Sequence, residues 1–439
     1  MSLPKGTTAL RLAVADLNGQ ARGKRLQAAA ADKVQRGGAR MPLSVLNVDV
    51  AGNDIAASPL VFATGDADGV LRPTDRGPLP APWLETPTAI VPMWMVCEDG
   101  APYAGDPRQA LARVLDAYAA RGWSPVVATE LEFYLIDDSG PELRPPASPR
   151  SGLRRAGADI HALRALDAYD AFFTDIYAGA DAMGIRADAA ISEAGTGQFE
   201  VNLTHRDAMA AADDAWLFKL LTQGMARKHG CAASFMAKPY AHQPGNGFHI
   251  HASVLDAGGT NIFDDGGPGG TQTLAQAIAG CLDTMAEATL IFAPHGVSYD
   301  RFASNSHAPT RATWGYDNRT VAIRIPGGAP AARRIEHRVP GGDANPYLVL
   351  AVVLGAMLDG IDRQLTPPPA TRGNGYDADG PALPTDWARA TDMFETSETM
   401  PHLLPRQLIG NYVLTKRQEW AAFAQLGAED RRRRYLDLM

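Results

Sequence analysis

The apolar positions change their period several times along the chain, and the changes divide it. Residues 8–18 alternate apolar with polar as a strand does, and Asn18-Gly19 is a hairpin signal. Residues 43–50 read as a second strand. Residues 72–92 hold six prolines, which predicts no helix and no central strand there. A helix is expected from Asp106 to Gly122: Asp106 can cap it, Pro107 fits its first turn, and Ala110, Leu111, Val114, Leu115 and Tyr118 share one face. Further helices are expected at 160–183, 207–229, 272–292, 346–362 and 403–425. Strands are expected at 125–136, 197–203, 233–238, 247–254, 319–325 and 333–339. Gly, Pro and polar residues mark 143–152, 256–271 and 364–384 as surface loops. The order predicts an α+β protein, with a small strand-rich domain over 1–103 and a larger domain over 104–439.

Side chains alternate across a strand, so each predicted strand has two faces. In 125–136, Val127, Leu131, Phe133 and Leu135 fall on one face and Glu130 and Glu132 on the other. Gln198, Glu200 and Asn202 oppose Phe199, Val201 and Leu203. His249, His251 and Ser253 oppose Phe248 and Ile250. Arg334, Glu336 and Arg338 share a face with a mixed opposite side. A single E-x-E is more often an exposed face than a site. Repeated over four strands, the pattern predicts a sheet with one side on helices and the other lined with charge, closing into a funnel. Carboxylates gathered so closely repel unless cations lie among them.

Composition narrows the chemistry. The chain has 439 residues, 46% hydrophobic and 21% charged, and a net charge of −8, which does not point to a nucleic-acid partner. Its three cysteines show no CxxC spacing, so a disulfide framework or zinc site is not expected and a cytoplasmic setting is the natural reading. Arg11 and Asp16 interrupt the N-terminal apolar residues, against a signal peptide. The apolar run Tyr347–Leu358 is too short to cross a bilayer. No P-loop or Rossmann fingerprint occurs. Glu130, Glu132, Glu193, Glu200, His249 and Glu336 form a hard-donor set suited to Mg²⁺ or Mn²⁺. Arg301, Arg319, Arg324, Arg334 and Arg338 supply forks for carboxylate or phosphate. Metal ligands beside arginines are the equipment of phosphoryl transfer.

Five segments together carry a resemblance: ELEFYL (130–135), EAGTGQFEVN (193–202), GNGFHIHAS (245–253), DNRTVAIRIP (317–326) and ARRIEHRVPGGDANPY (332–347). In this order they resemble the signatures of the glutamine synthetase superfamily over essentially the whole chain. The resemblance implies an N-terminal β-grasp domain and a catalytic domain with a curved antiparallel sheet funnel and outer helices. It also implies a homo-oligomer, a dodecamer of two hexameric rings with sites between neighbours. By matching, Glu132, Glu193 and Glu200 hold one metal and Glu130, His249 and Glu336 the other, with two to three divalent ions per site and ATP as cosubstrate. Gly245, Arg301 and Arg338 match glutamate-binding positions. Arg319 and Arg324 match arginines on the transferred phosphoryl group. His251, Ser253 and Arg334 match nucleotide contacts. Asp49 matches an acid that reaches the neighbour's site and handles the amine.

The chain departs from glutamine synthetase around the nucleophile. His307, in YDRFASNSHAP (299–309), stands where those enzymes carry a glutamate that closes the site and helps bind ammonium. Pro244 replaces an asparagine, the N-terminal motif reads VDVAGND (48–54), Ala331 replaces a lysine that contacts nucleotide, and Asp188 falls near a nucleotide glutamate. No segment carrying the family's adenylylated tyrosine is recognisable in 364–400. With the phosphoryl machinery kept and the ammonium pocket rewritten, the chain is most similar to the γ-glutamylpolyamine synthetase branch, which joins glutamate to an organic amine. The competing expectations are a glutamine synthetase using ammonia and a non-catalytic structural or nitrogen-sensing member. The complete ligand set speaks against the latter.

Overall fold

The structure, a computed structural model, describes residues 1–140, 142–154, 157, 160–304 and 306–438. The N-terminal sheet contains β1 (Ala9–Ala15), β2 (Ala21–Gln27), β3 (Ala39–Pro42), β4 (Asp68–Pro73), β5 (Leu79–Pro80) and β6 (Thr88–Val96). Its order is β2-β1-β6-β4-β3, with β5 against β6. β1 and β2 form the hairpin that Asn18-Gly19 foretold, and Gly19 takes φ 78° in the turn. Leu10, Leu12, Val14, Val91, Met93 and Met95 close a small core on Val34, Met41, Leu46 and Leu71.

Two expectations fail here. The proline-rich stretch was not expected to give a central strand, yet β6 lies in the middle of this sheet. Pro92 is tolerated because it sits at a changeover: it ends the pairing with β1, and Met93–Val96 pair with β4. Residues 43–50 are not a strand. Pro42 ends β3, and Leu43–Leu46 form a single 3₁₀ turn in which Asn47 N–H donates to Ser44 O at 2.7 Å and Ser44 Oγ to Asp66 at 2.6 Å. Such local bonds compete with a ladder.

The larger sheet contains β7 (Ser124–Ile136), β8 (Ala187–Ser192), β9 (Gln198–Asp207), β10 (Ala232–Ser234), β11 (Phe248–Leu255), β12 (Trp314–Tyr316), β13 (Ile323–Ile325) and β14 (Ile335–His337). The order is β12-β13-β14-β11-β7-β9-β8, with β10 on β7. Every pairing is antiparallel except β12 with β13. The fold is α+β, a strand-rich N-terminal unit followed by a larger curved sheet with helices. A bulge between Val127 and Thr129 bends β7 against β9. The apolar faces lie as their alternation required: Val127, Leu131, Phe133, Phe199, Val201, Phe248 and Ile250 are in the main core. Helices Pro107–Ala119 and Ala208–Lys228 cover that side, and Pro346–Asp362 packs against both.

The helix forecasts hold with breaks. The segment 160–183 divides into Leu163–Asp167 and Asp170–Ala182, because Tyr169 leaves helical geometry to pack edge-on against Phe199. The segment 272–292 divides into Gln272–Thr284 and Thr289–Phe292. The last expected helix begins at Arg406, since Pro405 ends the short turn before it. Trp387–Thr396, capped by Asp386, and Ala428–Leu438 were not foreseen. No helix among the described residues is long and apolar enough to cross a membrane.

Candidate active site

Strand register gathers the polar faces. On β7, Glu130 pairs with His249 of β11 on one side and with Asn202 of β9 on the other, and Glu132 pairs with Glu200 of β9. His251 of β11 pairs with Glu336 of β14, which pairs in turn with Arg324 of β13. Five strands thus lay their charged residues edge to edge on the side away from the helices.

The side chains interlock. Glu130 meets His249 Nδ1 at 2.9 Å through one oxygen and His251 Nε2 at 2.8 Å through the other. Glu132 Oε2 accepts from Gly247 N–H at 2.7 Å, and its other oxygen is 4.0 Å from His249 Nε2. Glu336 lies between Arg338 and Arg324, the latter at 2.8 Å. Arg324 also reaches Asp317 at 2.6 Å, and Arg334 Nε donates to His251 Nδ1 at 3.2 Å. Donor atoms within 4.8 Å of one another form two groups: Glu130, His251 and Glu336, and Glu130, Glu200 and His249. These groups cross the trios expected from the sequence. They share Glu130, take in His251, and leave out Glu132 and Glu193.

Charge in the funnel is unevenly tolerated. Burial raises Glu200 to about 9, with Glu130, Glu132 and Glu193 adding repulsion. Burial and Glu132 raise Glu193, just past the end of β8, to about 7. For Glu130, burial opposes ionisation, but hydrogen bonds from His249 and His251 hold it far below the usual carboxylate range. Glu336 is likewise buried and is kept low by Arg338 and the two histidines. The protein alone therefore cannot ionise all of its funnel carboxylates near neutral pH, and divalent cations between those oxygens fit the donor set.

Glycines allow the closeness. A Cβ at Gly247 would lie 2.8 Å from His249 Nε2 and 3.1 Å from both Arg301 Nη2 and Glu132 Oε1. A Cβ at Gly245 would lie 2.6 Å from Ala237 O and 2.7 Å from Arg301 Cγ. Arg301 is buried and donates to Val339 O at 2.7 Å. Arg338 is buried beside it. Arg319 is exposed between β12 and β13, where its charge acts on Glu193.

Beyond Glu130 and His251, a cavity of about 710 Å³ opens, lined by Ser253, Asp188, Asn202, Ala331 and Arg334. Its size suits a nucleotide-sized ligand. His307 is exposed at φ 60°, in left-handed backbone that a histidine rarely adopts; Asn305 in the same stretch lies outside the described residues. Asp49 is buried away from the funnel, accepting from Asn53 N–H at 2.9 Å and from Gln418 Nε2 at 3.2 Å.

Sequence reasoning missed several supports. Gln198 ties β9 to Gly245 O at 2.9 Å and to Asn246 Oδ1 at 3.0 Å. Asp343 accepts from Ser298 Oγ at 2.7 Å, bracing the turn that carries Arg301. Gln198 shares Glu200's face, a signal that was present. Asp343 gave none.

Comparison with known proteins bears out the family. The glutamine synthetase catalytic-domain family matches residues 104–435. The chain is 37% identical over 425 residues to the γ-glutamylputrescine synthetase of Escherichia coli (strain K12), covering 94% of this chain and 88% of that protein. It is 31% identical over 426 residues to the γ-glutamylethanolamide synthetase of Streptomyces coelicolor, covering 94% and 89%. Among solved structures, a GmaS–ADP complex superposes with a TM-score of 0.84 at 28% identity, over 99% of this chain and 97% of that one. The chain belongs to the glutamine synthetase family. Within that family, these curated relatives lie in the amine-ligase branch, as the sequence signatures foretold.

Proposed function

We propose that this protein joins the γ-carboxylate of glutamate to an organic amine at the expense of ATP, through a γ-glutamyl phosphate. Cross-strand register carries this reading, because it sets acids and arginines for phosphoryl transfer in one funnel. His307, in place of a loop glutamate, turns the reading from ammonia toward a bulkier amine.

The nucleotide occupies the cavity past His251, against Ser253 and Arg334. Glu132, Glu193 and Glu200 would hold one Mg²⁺ or Mn²⁺ ion, and Glu130, His249 and Glu336 a second, with His251 within ligand distance of Glu130 and Glu336. Such cations would neutralise polyphosphate charge and polarise the γ-phosphoryl group. Arg301 and Arg338 grip glutamate, and Gly245 leaves room for its backbone end. A γ-carboxylate oxygen attacks the γ-phosphorus and ADP departs. Arg324 and Arg319 offset charge on the moving group. The amine nitrogen then attacks the acyl carbon, phosphate leaves, and an amide remains. An alkylamine is mostly protonated at pH 7, so a carboxylate must bind the cation and accept its proton. Asp49 of a neighbouring copy fills that role in a dodecamer of two hexameric rings. A β-grasp domain over 1–103 carries Asp49, and 104–439 carries the rest, in the cytoplasm.

Glutamate labelled with heavy oxygen in its γ-carboxylate tests the intermediate. The label is expected in the released phosphate when an amine is present. Phosphate free of label would sink the acyl-phosphate route.

A further inference from the structure

The segment 364–384 reads from sequence as a surface loop, and it is a strap across the funnel's rim. It is tied at one end to β12 and the following turn: Trp314 Nε1 donates to Pro368 O at 2.7 Å, Asn318 Nδ2 to Gly373 O at 2.8 Å, and Gly375 N–H to Thr320 Oγ1 at 2.7 Å. The fit is close, since a Cβ at Gly375 would lie 2.4 Å from Thr320 O. That turn carries Arg319. One residue further along the strap, Tyr376 turns to the other side of the rim. Its hydroxyl donates to Ala308 O at 3.1 Å, with Ser306 and the His307 backbone close by. Its ring is half-buried, close enough to feel the charges of Arg301 and Arg338.

His307 needs such support. It holds φ 60°, a conformation unfavourable for a residue with a Cβ, and persists only where its surroundings impose it. Ser306 Oγ bonds to Ala303 O at 2.6 Å and so curls the turn from one side. Tyr376 holds it from the other.

We propose that Tyr376 is a positioning residue for the acceptor side of the reaction: through the strap, it latches residues 306–308 beside the Arg301–Arg338 pair and so sets the room left for the amine. This rests on the amine-ligase reading. The residue acts through the backbone it holds, not on the reacting atoms, and the strap links the acceptor side to the turn bearing Arg319.

The test is Tyr376→Phe, which removes the hydroxyl and keeps the ring, with Gly375→Ala as a second variant that lifts the strap from Thr320. Hydrogen exchange over 299–309 and steady-state kinetics are read on the whole protein. One neutral hydrogen bond predicts about two- to tenfold faster exchange in that segment and a similar rise in KM for the amine. In Tyr376→Phe, KM for ATP and the melting temperature should stay at wild-type values. Unchanged exchange in both variants would overturn the latch. Faster exchange with an unchanged amine KM would overturn its role in acceptor binding. A wild-type protein that makes no amide defeats the ligase reading alone, and the exchange comparison then decides the latch by itself.

Discussion

Glu200→Gln separates the two demands placed on the funnel. Glu200 is 7% exposed, and burial together with three neighbouring glutamates lifts it from 4.5 to about 9. In the unfolded chain the same group ionises near 4.5. The folded state therefore binds more protons than the unfolded state between those values, and stability falls as pH rises through that window. At pH 7 the group stays protonated in the metal-free fold, against a penalty of up to about 3 kcal/mol. Glutamine is neutral and escapes that penalty. Metal-free Glu200→Gln should thus be more stable than wild type by as much as about 3 kcal/mol near pH 7, and its stability should depend less on pH. Divalent metal closes that gap: wild type should gain roughly 3 kcal/mol at a hundredfold excess of Mg²⁺ over its dissociation constant, and the variant much less. Urea unfolding at pH 6 and 8, with chelator and with Mg²⁺, reads all of these. A metal-free variant less stable than wild type at pH 8, yet stabilised equally by Mg²⁺, would refute the reasoning.

Other perturbations probe other parts. Gly247→Ala drives a methyl among His249, Arg301 and Glu132, the nearest at 2.8 Å, so kcat/KM should fall about 10- to 100-fold, roughly 1–3 kcal/mol of lost transition-state stabilisation, and melting should fall only by the cost of overpacking one methyl. Wild-type turnover in that variant would mean the three groups do not act together. Glu419 is fully buried; burial opposes its charge, but Lys416 and His295 hold it at about 2. Its contribution is present above about 4.5 and lost as pH falls toward 2. Glu419→Gln should cost about 3–5 kcal/mol at pH 7, a difference that shrinks below pH 4 in urea titrations.

Much of the site was legible because strand alternation is strict. Glu130 and Glu132 had to share a face opposite Leu131 and Phe133, and the alternation of apolar and polar residues placed them without any knowledge of the fold; burial along the strand alternates to match. The pairing of one strand with the next was not legible. It depends on register, and so the two donor groups cross the trios that the family resemblance implied. The N-terminal errors have the same origin. Whether Leu43–Leu46 forms a strand or a turn is decided by the Asn47-to-Ser44 turn bond and the pin from Ser44 to Asp66, and whether β6 is central is decided by a proline falling where its partner changes. Tyr376 was hidden because polar, glycine-rich composition marks a loop but not what the loop holds down.

The central claim is that the nucleophile is an organic amine. It is tested most directly by phosphate release and amide formation with glutamate and ATP across putrescine, ethanolamine, short alkylamines and ammonium. The account predicts amide product and turnover with at least one organic amine at concentrations where ammonium sustains little. Turnover with low-millimolar ammonium and with none of the amines would contradict it.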